Sequence, residues 1–385
     1  MAEAGDRRAA MTRRAGEPSS RLPHALAALY GCAIAYASLW PFGDWLAPLP
    51  GTPFWLFDSG PSRVPRADVA ANALSYLPFG LLVALVPAHA GLGRRVLVAL
   101  VAGAVLSFAM ETLQGYLPPR HANTMDFMAN AAGALIGGAL GALLVGSGLR
   151  ATSRDAHRRF VLPGTLGDVG LALAAAWLVA QVNPAIPPFA LTFDPDPVAA
   201  LREAPLAGDV AATLIEAAQS AFQLLGIGLF AALLVRERRY AGGAILLVVG
   251  TALLVKGVAA VLLLKPAAIQ DWLPQGVLLG VAAGALLLLP AVMLPRPAQV
   301  ALCAIALLSS LLTPLLTPDL MFAAPPLTLF SGRFGHLLSF NGLTRIVLLA
   351  WPLAAAAWLF ALAGAPGWGR APDNPAERRR RSDPL

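Results

Sequence analysis

The residues in this sequence best suited to chemistry are few and closely spaced. Arg66, Asp68 and Asn72 stand before Pro78-Phe79-Gly80. Glu111 and Gln114 follow, then Arg120 and His121, then Asp126, Asn130 and Gly133. Glu111 is the foremost candidate for a general acid or base, with Asp68 and Asp126 as further carboxylates that could move a proton. Arg66 and Arg120 have the forked N–H donors that clamp phosphate or carboxylate. Asn72, Gln114 and Asn130 are candidate ligand-orienting amides. His121, Glu111 and Asp126 include ligand types that zinc accepts, but no HxxxH or HExxH pair fixes a geometry, so no metal is expected. No Walker A loop, GxSxG elbow or dinucleotide fingerprint is present, and no cofactor is expected.

The elements that must position these groups follow from composition. Of 385 residues, 57% are hydrophobic and 13% charged, with a mean hydropathy of +0.67. Soluble domains carry about 25% charged residues. Roughly half that supply cannot cover a water-facing surface of this size. An ordinary cytosolic enzyme, a DNA-binding protein and a disordered scaffold are excluded, and a polytopic all-α membrane bundle is expected. The net charge of +7 does not argue for nucleic acid, because the basic residues are nearly all Arg, clustered between apolar stretches as in membrane loops. Cys32 and Cys303 form no CxxC pair and read as small buried residues.

A spanning helix needs about 20 apolar residues. Ten stretches qualify, near 24–45, 69–88, 95–116, 127–147, 166–186, 210–235, 243–264, 275–294, 298–317 and 342–364. The first lacks a small-residue cleavage site and reads as a retained helix rather than a signal peptide. With both termini placed in the cytoplasm, 20 of the 28 Lys and Arg residues fall in inner segments and seven in outer ones, Lys256 lying within a helix. That asymmetry supports ten spans with both ends inside. Nine remain if one late helix is re-entrant. The polar run from Arg150 to Arg159 separates a four-helix module, 24–150, from a six-helix extension, 160–365. The segments 1–23 and 366–385 read as disordered cytoplasmic tails.

This topology brings the chemistry-bearing residues to one level. The second helix starts, the third ends and the fourth starts on the outer side. Asp68 and Asn72, and Asp126 and Asn130, are spaced i, i+4 and share a helix face; Glu111 and Gln114 are spaced i, i+3. Ionisable groups in a membrane are costly and usually face a functional cavity. A structural reading stands beside this one. Buried polar residues join helices, Asp68 and Asp126 fit N-caps, and Gly133, Gly137 and Gly141 form a small-residue stripe for close packing. Glu111 fits such roles least, since a helix C-terminus disfavours negative charge. An Arg66 or Arg120 partner, or a proton, is expected.

In the second half, Glu216, Gln219 and Gln223 open the sixth stretch on the outer side. Lys256 is expected to pair with Glu216. The segment from Gly332 and Arg333 through His336 to Asn341 and Arg345 reads as an amphipathic re-entrant loop. Glu216, Gln219, Lys256 and His336 are secondary site candidates.

The pattern Arg66-x-Asp68-x3-Asn72-x5-Pro78-Phe79-Gly80, Glu111-x2-Gln114, Arg120 and Asp126-x3-Asn130-x2-Gly133-x3-Gly137 resembles the VanZ-like family, named for a teicoplanin-resistance membrane protein. The resemblance covers about residues 30–147. It implies a bacterial inner-membrane module of four or five helices linked to the cell envelope and the glycopeptide response; it implies no particular reaction. The six later helices look like an extension found in longer members. The expected function is an outer-facing polar pocket that binds, or modifies, an anionic or amide-rich envelope ligand such as a lipid-linked head group. A proton-coupled secondary transporter and a non-catalytic partner of an envelope-polymer enzyme are the alternatives. The one-sided placement of the polar groups weighs against a midplane transport site.

Overall fold

The computed structural model describes residues 22–40, 42–43, 45–46, 66–87, 90–117, 122–183, 186–191, 210–264, 273–316 and 335–365. Among these, eleven α-helices follow one another: α1 Leu22–Leu39, α2 Arg66–Leu85, α3 Leu92–Gln114, α4 Thr124–Gly146, α5 Leu149–Phe160, α6 Gly164–Ala180, α7 Val210–Leu234, α8 Ala241–Leu263, α9 Gln275–Met293, α10 Arg296–Leu316 and α11 Gly335–Ala363. Ten coincide with the ten expected stretches. Eight of those are long and apolar enough to cross a membrane; the apolar part of α2, Asn72–Leu85, and α6 are shorter. The protein is therefore an all-α, multi-pass type of chain.

Two places differ from the expectation. The polar run after residue 148 is the amphipathic helix α5, entered through Gly148 at φ 78. Only a residue without a Cβ takes this left-handed turn freely. The expected re-entrant loop near 332–345 is helical from Gly335 onward, so that Asn341 and Arg345 lie on the first turns of α11.

The first four helices pack around glycine. Gly133, Gly137 and Gly141 on α4 lie against Ala73, Leu77 and Leu81 of α2. A Cβ at Gly141 would come within 2.8 Å of the Leu81 carbonyl oxygen, and a Cβ at Gly133 or Gly137 would overlap the carbonyls of Ala73 and Leu77. Gly80 of α2 lies equally close to Ala134. This is the close backbone approach expected of the small-residue stripe. It draws Tyr76, Phe79, Ala99 and Ala134 into one buried cluster.

A second, larger core lies between Leu162 and Leu362. At its centre is α7, which is buried on nearly every side, as an all-round apolar helix should be. Phe230 of α7 meets Trp351 and Trp358 of α11 at ring-centroid distances of 5.3 and 4.8 Å. Those indoles donate to the α6 carbonyls of Leu173 and Leu166, each at 2.8 Å. Buried Trp N–H groups need such partners. Cys303 is fully buried in this core, but Cys32 is exposed on the outer face of α1, which corrects the reading of both cysteines as interior. On a membrane helix an outward face meets lipid tails and tolerates a thiol as it does any small apolar group.

Arginines at one end of the bundle act as helix caps. Arg95, 2% exposed, donates to the carbonyls of Ala84 and Ala90 at 2.8 and 2.9 Å, closing the C-terminus of α2. Arg296 donates to Val235 and Arg236 at the end of α7, and Arg238 to Leu294 at the end of α9. The last carbonyls of a helix lack intrahelical donors and form the negative end of its dipole. Three of the arginines behind the charge asymmetry are thus also structural.

Candidate functional site

Helices α2, α3 and α4 each supply an i, i+4 pair to one polar region. Asn72 and Tyr76 come from α2, Ser107 and Glu111 from α3, and Asp126 and Asn130 from α4. Asn72 Nδ2 donates to Asp126 Oδ1 at 2.7 Å, tying α2 to the first turn of α4. Asn130 Nδ2 donates to Ser107 Oγ at 3.0 Å, tying α4 to α3. Both Ser107 and Asn130 are buried.

Glu111 is 4% exposed. Its Oε2 accepts the backbone N–H of Asn123 at 3.0 Å. Asn123 is the N-cap of α4, and its own side chain accepts from the Met125 N–H at 2.9 Å. Glu111 thus sits at the C-terminal end of its own helix but against the N-terminus of the next, where the dipole favours negative charge. Local sequence carries no sign of this because the favourable terminus belongs to another element. The N-cap of α4 is likewise Asn123 and not Asp126, which lies within the first turn.

Gln114 turns elsewhere. Its Nε2 donates to the Ser38 carbonyl at 3.0 Å, at the C-terminal end of α1. Arg66 and Asp68 lie on the first turn of α2, and their side chains, with all of Arg120 and His121, lie outside the described residues.

Two buried polar atoms here have no hydrogen-bond partner among the described residues, Tyr76 Oη and Asn130 Oδ1. Tyr76 is 3% exposed, with its hydroxyl near Ser107 but outside hydrogen-bond geometry and with Glu111 close by. Leaving such an atom unsatisfied costs about 1–3 kcal/mol. Tyr76 and Ser107 were not singled out in the sequence. The signal that could have found them is their i, i+4 spacing from Asn72 and Glu111.

The second half holds a separate polar region. Lys256, 1% exposed, does not pair with Glu216. Its Nζ donates to the carbonyls of Asn183 and Ile186 at 2.9 and 2.7 Å. These belong to a non-helical segment after α6 whose Ile186, Phe189, Ala190 and Leu191 are buried. Non-helical backbone at membrane depth is tolerated only where protein satisfies it. Trp177 Nε1 donates to the Ala190 carbonyl at 2.8 Å, Gln181 Oε1 accepts from the Phe189 N–H at 3.3 Å, and Asn183 Nδ2 donates to Thr344 Oγ1 at 2.9 Å. The segment thereby outbids the carboxylate for the ammonium. Glu216 instead rests against Gly276 in the first turn of α9, again a favourable helix N-terminus. Gln219 Nε2 donates to the Ser310 carbonyl at 3.3 Å. The side chain of His336 lies outside the described residues.

No curated protein and no solved structure matches the chain at a significant level. The stretch carrying the first polar region does match a family: residues 19–145 fit the family model described as VanZ/LLP1.

Proposed function

We propose that this VanZ-like membrane protein resides in the bacterial inner membrane and binds a polar envelope ligand at the shared end of α2, α3 and α4. The observation that carries the reading is the pair of unpartnered buried atoms, Tyr76 Oη and Asn130 Oδ1, beside the buried Glu111 carboxylate. A tyrosine hydroxyl donates to phosphate or carbonyl oxygen, and an amide oxygen accepts from N–H or O–H. The complementary ligand offers both, as do amides, sugars and hydroxylated phosphate head groups. Arg66, on the first turn of α2, and Arg120, between α3 and α4 in the sequence, are the candidates to supply positive charge for an anionic group. Asn72 and Asp126 brace the site, and Glu111 is its group for moving a proton. The arginine asymmetry supports an outer-facing opening, and the family resemblance supports a link to glycopeptide response.

The test is Tyr76→Phe, which removes one oxygen without changing shape. We expect unchanged folding in detergent, loss of a co-purifying head-group ligand in mass spectrometry, and altered teicoplanin sensitivity in a complemented deletion strain. A Tyr76→Phe protein that matches wild type in both readouts would refute the binding reading.

A further inference from the structure

We propose that Arg159 and Arg239 form a docking site for the head group of an anionic phospholipid in the adjacent leaflet. The two arginines are 80 residues apart in sequence but are brought together by backbone. Val161 and Val235 form an isolated antiparallel bridge, with Leu162 N–H donating to Leu234 at 2.9 Å and Arg236 N–H to Phe160 at 2.8 Å. This joins the end of α5 to the turn between α7 and α8. The rings of Phe160 and Tyr240 then meet edge to face at 4.7 Å and 87°. Each ring carries its neighbouring arginine: Arg159 Cζ lies 5.3 Å from the Phe160 centroid, and Arg239 Cζ lies 4.8 Å from the Tyr240 centroid.

Both guanidinium groups are therefore held over one aromatic pair and remain exposed. Cation–π contact fixes the plane while leaving the N–H donors open, the geometry that suits a phosphodiester. Exposed Arg236 adds a third charge, whereas Arg238 and Arg296 already donate to helix-end carbonyls. The aromatic pair places the site at the interfacial depth that such rings prefer, and a basic amphipathic helix such as α5 is built to lie there. Two acidic groups stand near the arginines: exposed Asp155, four residues before Arg159 on α5, and Glu237, which pairs with Arg239. Glu237 accepts from Arg239 Nε at 2.8 Å, but both are well exposed, so a phosphate can replace it.

The experiment uses the full chain in detergent, with native mass spectrometry after addition of phosphatidylglycerol or phosphatidylcholine. Wild type should retain phosphatidylglycerol preferentially. The double variant Arg159→Gln, Arg239→Gln should lower that retention roughly 30-fold, at the usual worth of two basic residues near an anionic surface. Glu237→Gln should raise retention, because it releases Arg239 without disturbing the aromatic pair; it also keeps the test alive if the double variant folds poorly. Arg94→Gln, another exposed arginine, should leave retention unchanged. Wild-type retention in the double variant would overturn the proposal. So would an equal loss in Arg94→Gln, which would mean diffuse surface charge. So would displacement of the lipid by equimolar inorganic phosphate, which would mean a site for free anions.

Discussion

Lys256→Met is the sharpest perturbation of the second half. Methionine keeps the unbranched stem and removes the ammonium. The change strips the donors from the Asn183 and Ile186 carbonyls, which the ammonium holds at 2.9 and 2.7 Å. Neither carbonyl can turn to water, because the segment around them is buried. At about 1–3 kcal/mol for each unsatisfied group, the loss is roughly 2–6 kcal/mol. A helical unit of 150–250 residues loses roughly 2–4 °C of Tm per kcal/mol, so the expected fall is roughly 4–24 °C. Thermal unfolding in detergent would measure it. Trp177 offers a local readout, since its indole donates to Ala190 in the same segment. Release of the segment should shift its emission to longer wavelength. A Lys256→Met protein with wild-type Tm and emission would refute the claim that the lysine holds this segment. A rescue of Lys256→Met by Glu216→Gln would instead point to a Lys256–Glu216 ion pair, the reading that the geometry rejects.

Glu111→Gln should fold, with a loss of about 0.3–2 kcal/mol from the α4 N-terminus, since an amide oxygen still accepts the Asn123 N–H; the proposed effect on glycopeptide sensitivity should disappear, and wild-type behaviour in a well-folded protein would return Glu111 to a purely structural role. Gly137→Leu should abolish recovery of folded protein, because its Cβ alone would overlap the Leu77 carbonyl; a folded variant in size-exclusion chromatography would show that α2 and α4 can separate. Asn130→Leu should cost about 1–3 kcal/mol, because it removes the bond to buried Ser107 along with the unsatisfied amide oxygen, and should lose the ligand; calorimetry beside ligand mass spectrometry separates the two. In a Cys32→Ala, Cys303→Ala background, Arg158→Cys should resist an impermeant thiol reagent in intact cells, and its labelling would reverse the proposed topology.

Much of the architecture was legible in the chain itself. The positions of ten apolar helices follow from hydropathy, because in lipid each stretch must satisfy its own backbone and so becomes a helix. The spacing of Gly133, Gly137 and Gly141 announced close packing, since a small-residue stripe has few other uses. Asn72 and the Asp126–Asn130 pair pointed to polar contact between α2 and α4, which the Asn72–Asp126 bond makes. What sequence could not supply was the partner of each charge. Glu111 and Glu216 are stabilised by the N-termini of α4 and α9, and Arg95, Arg238 and Arg296 by the C-termini of α2, α9 and α7. The electrostatic field at each of these side chains comes from the end of another helix or from the far end of a hairpin, and its sign depends on which elements pack together. The same holds for Lys256. Its nearest complementary charge by sequence reasoning was a carboxylate, but burial of a non-helical segment left two carbonyls in need of a donor. Local pattern determined which residues are helical and which are polar; only packing decided which helix end or carbonyl each polar group would meet, because hydrogen bonds and dipoles act over a few ångströms and chain separation says nothing about that distance.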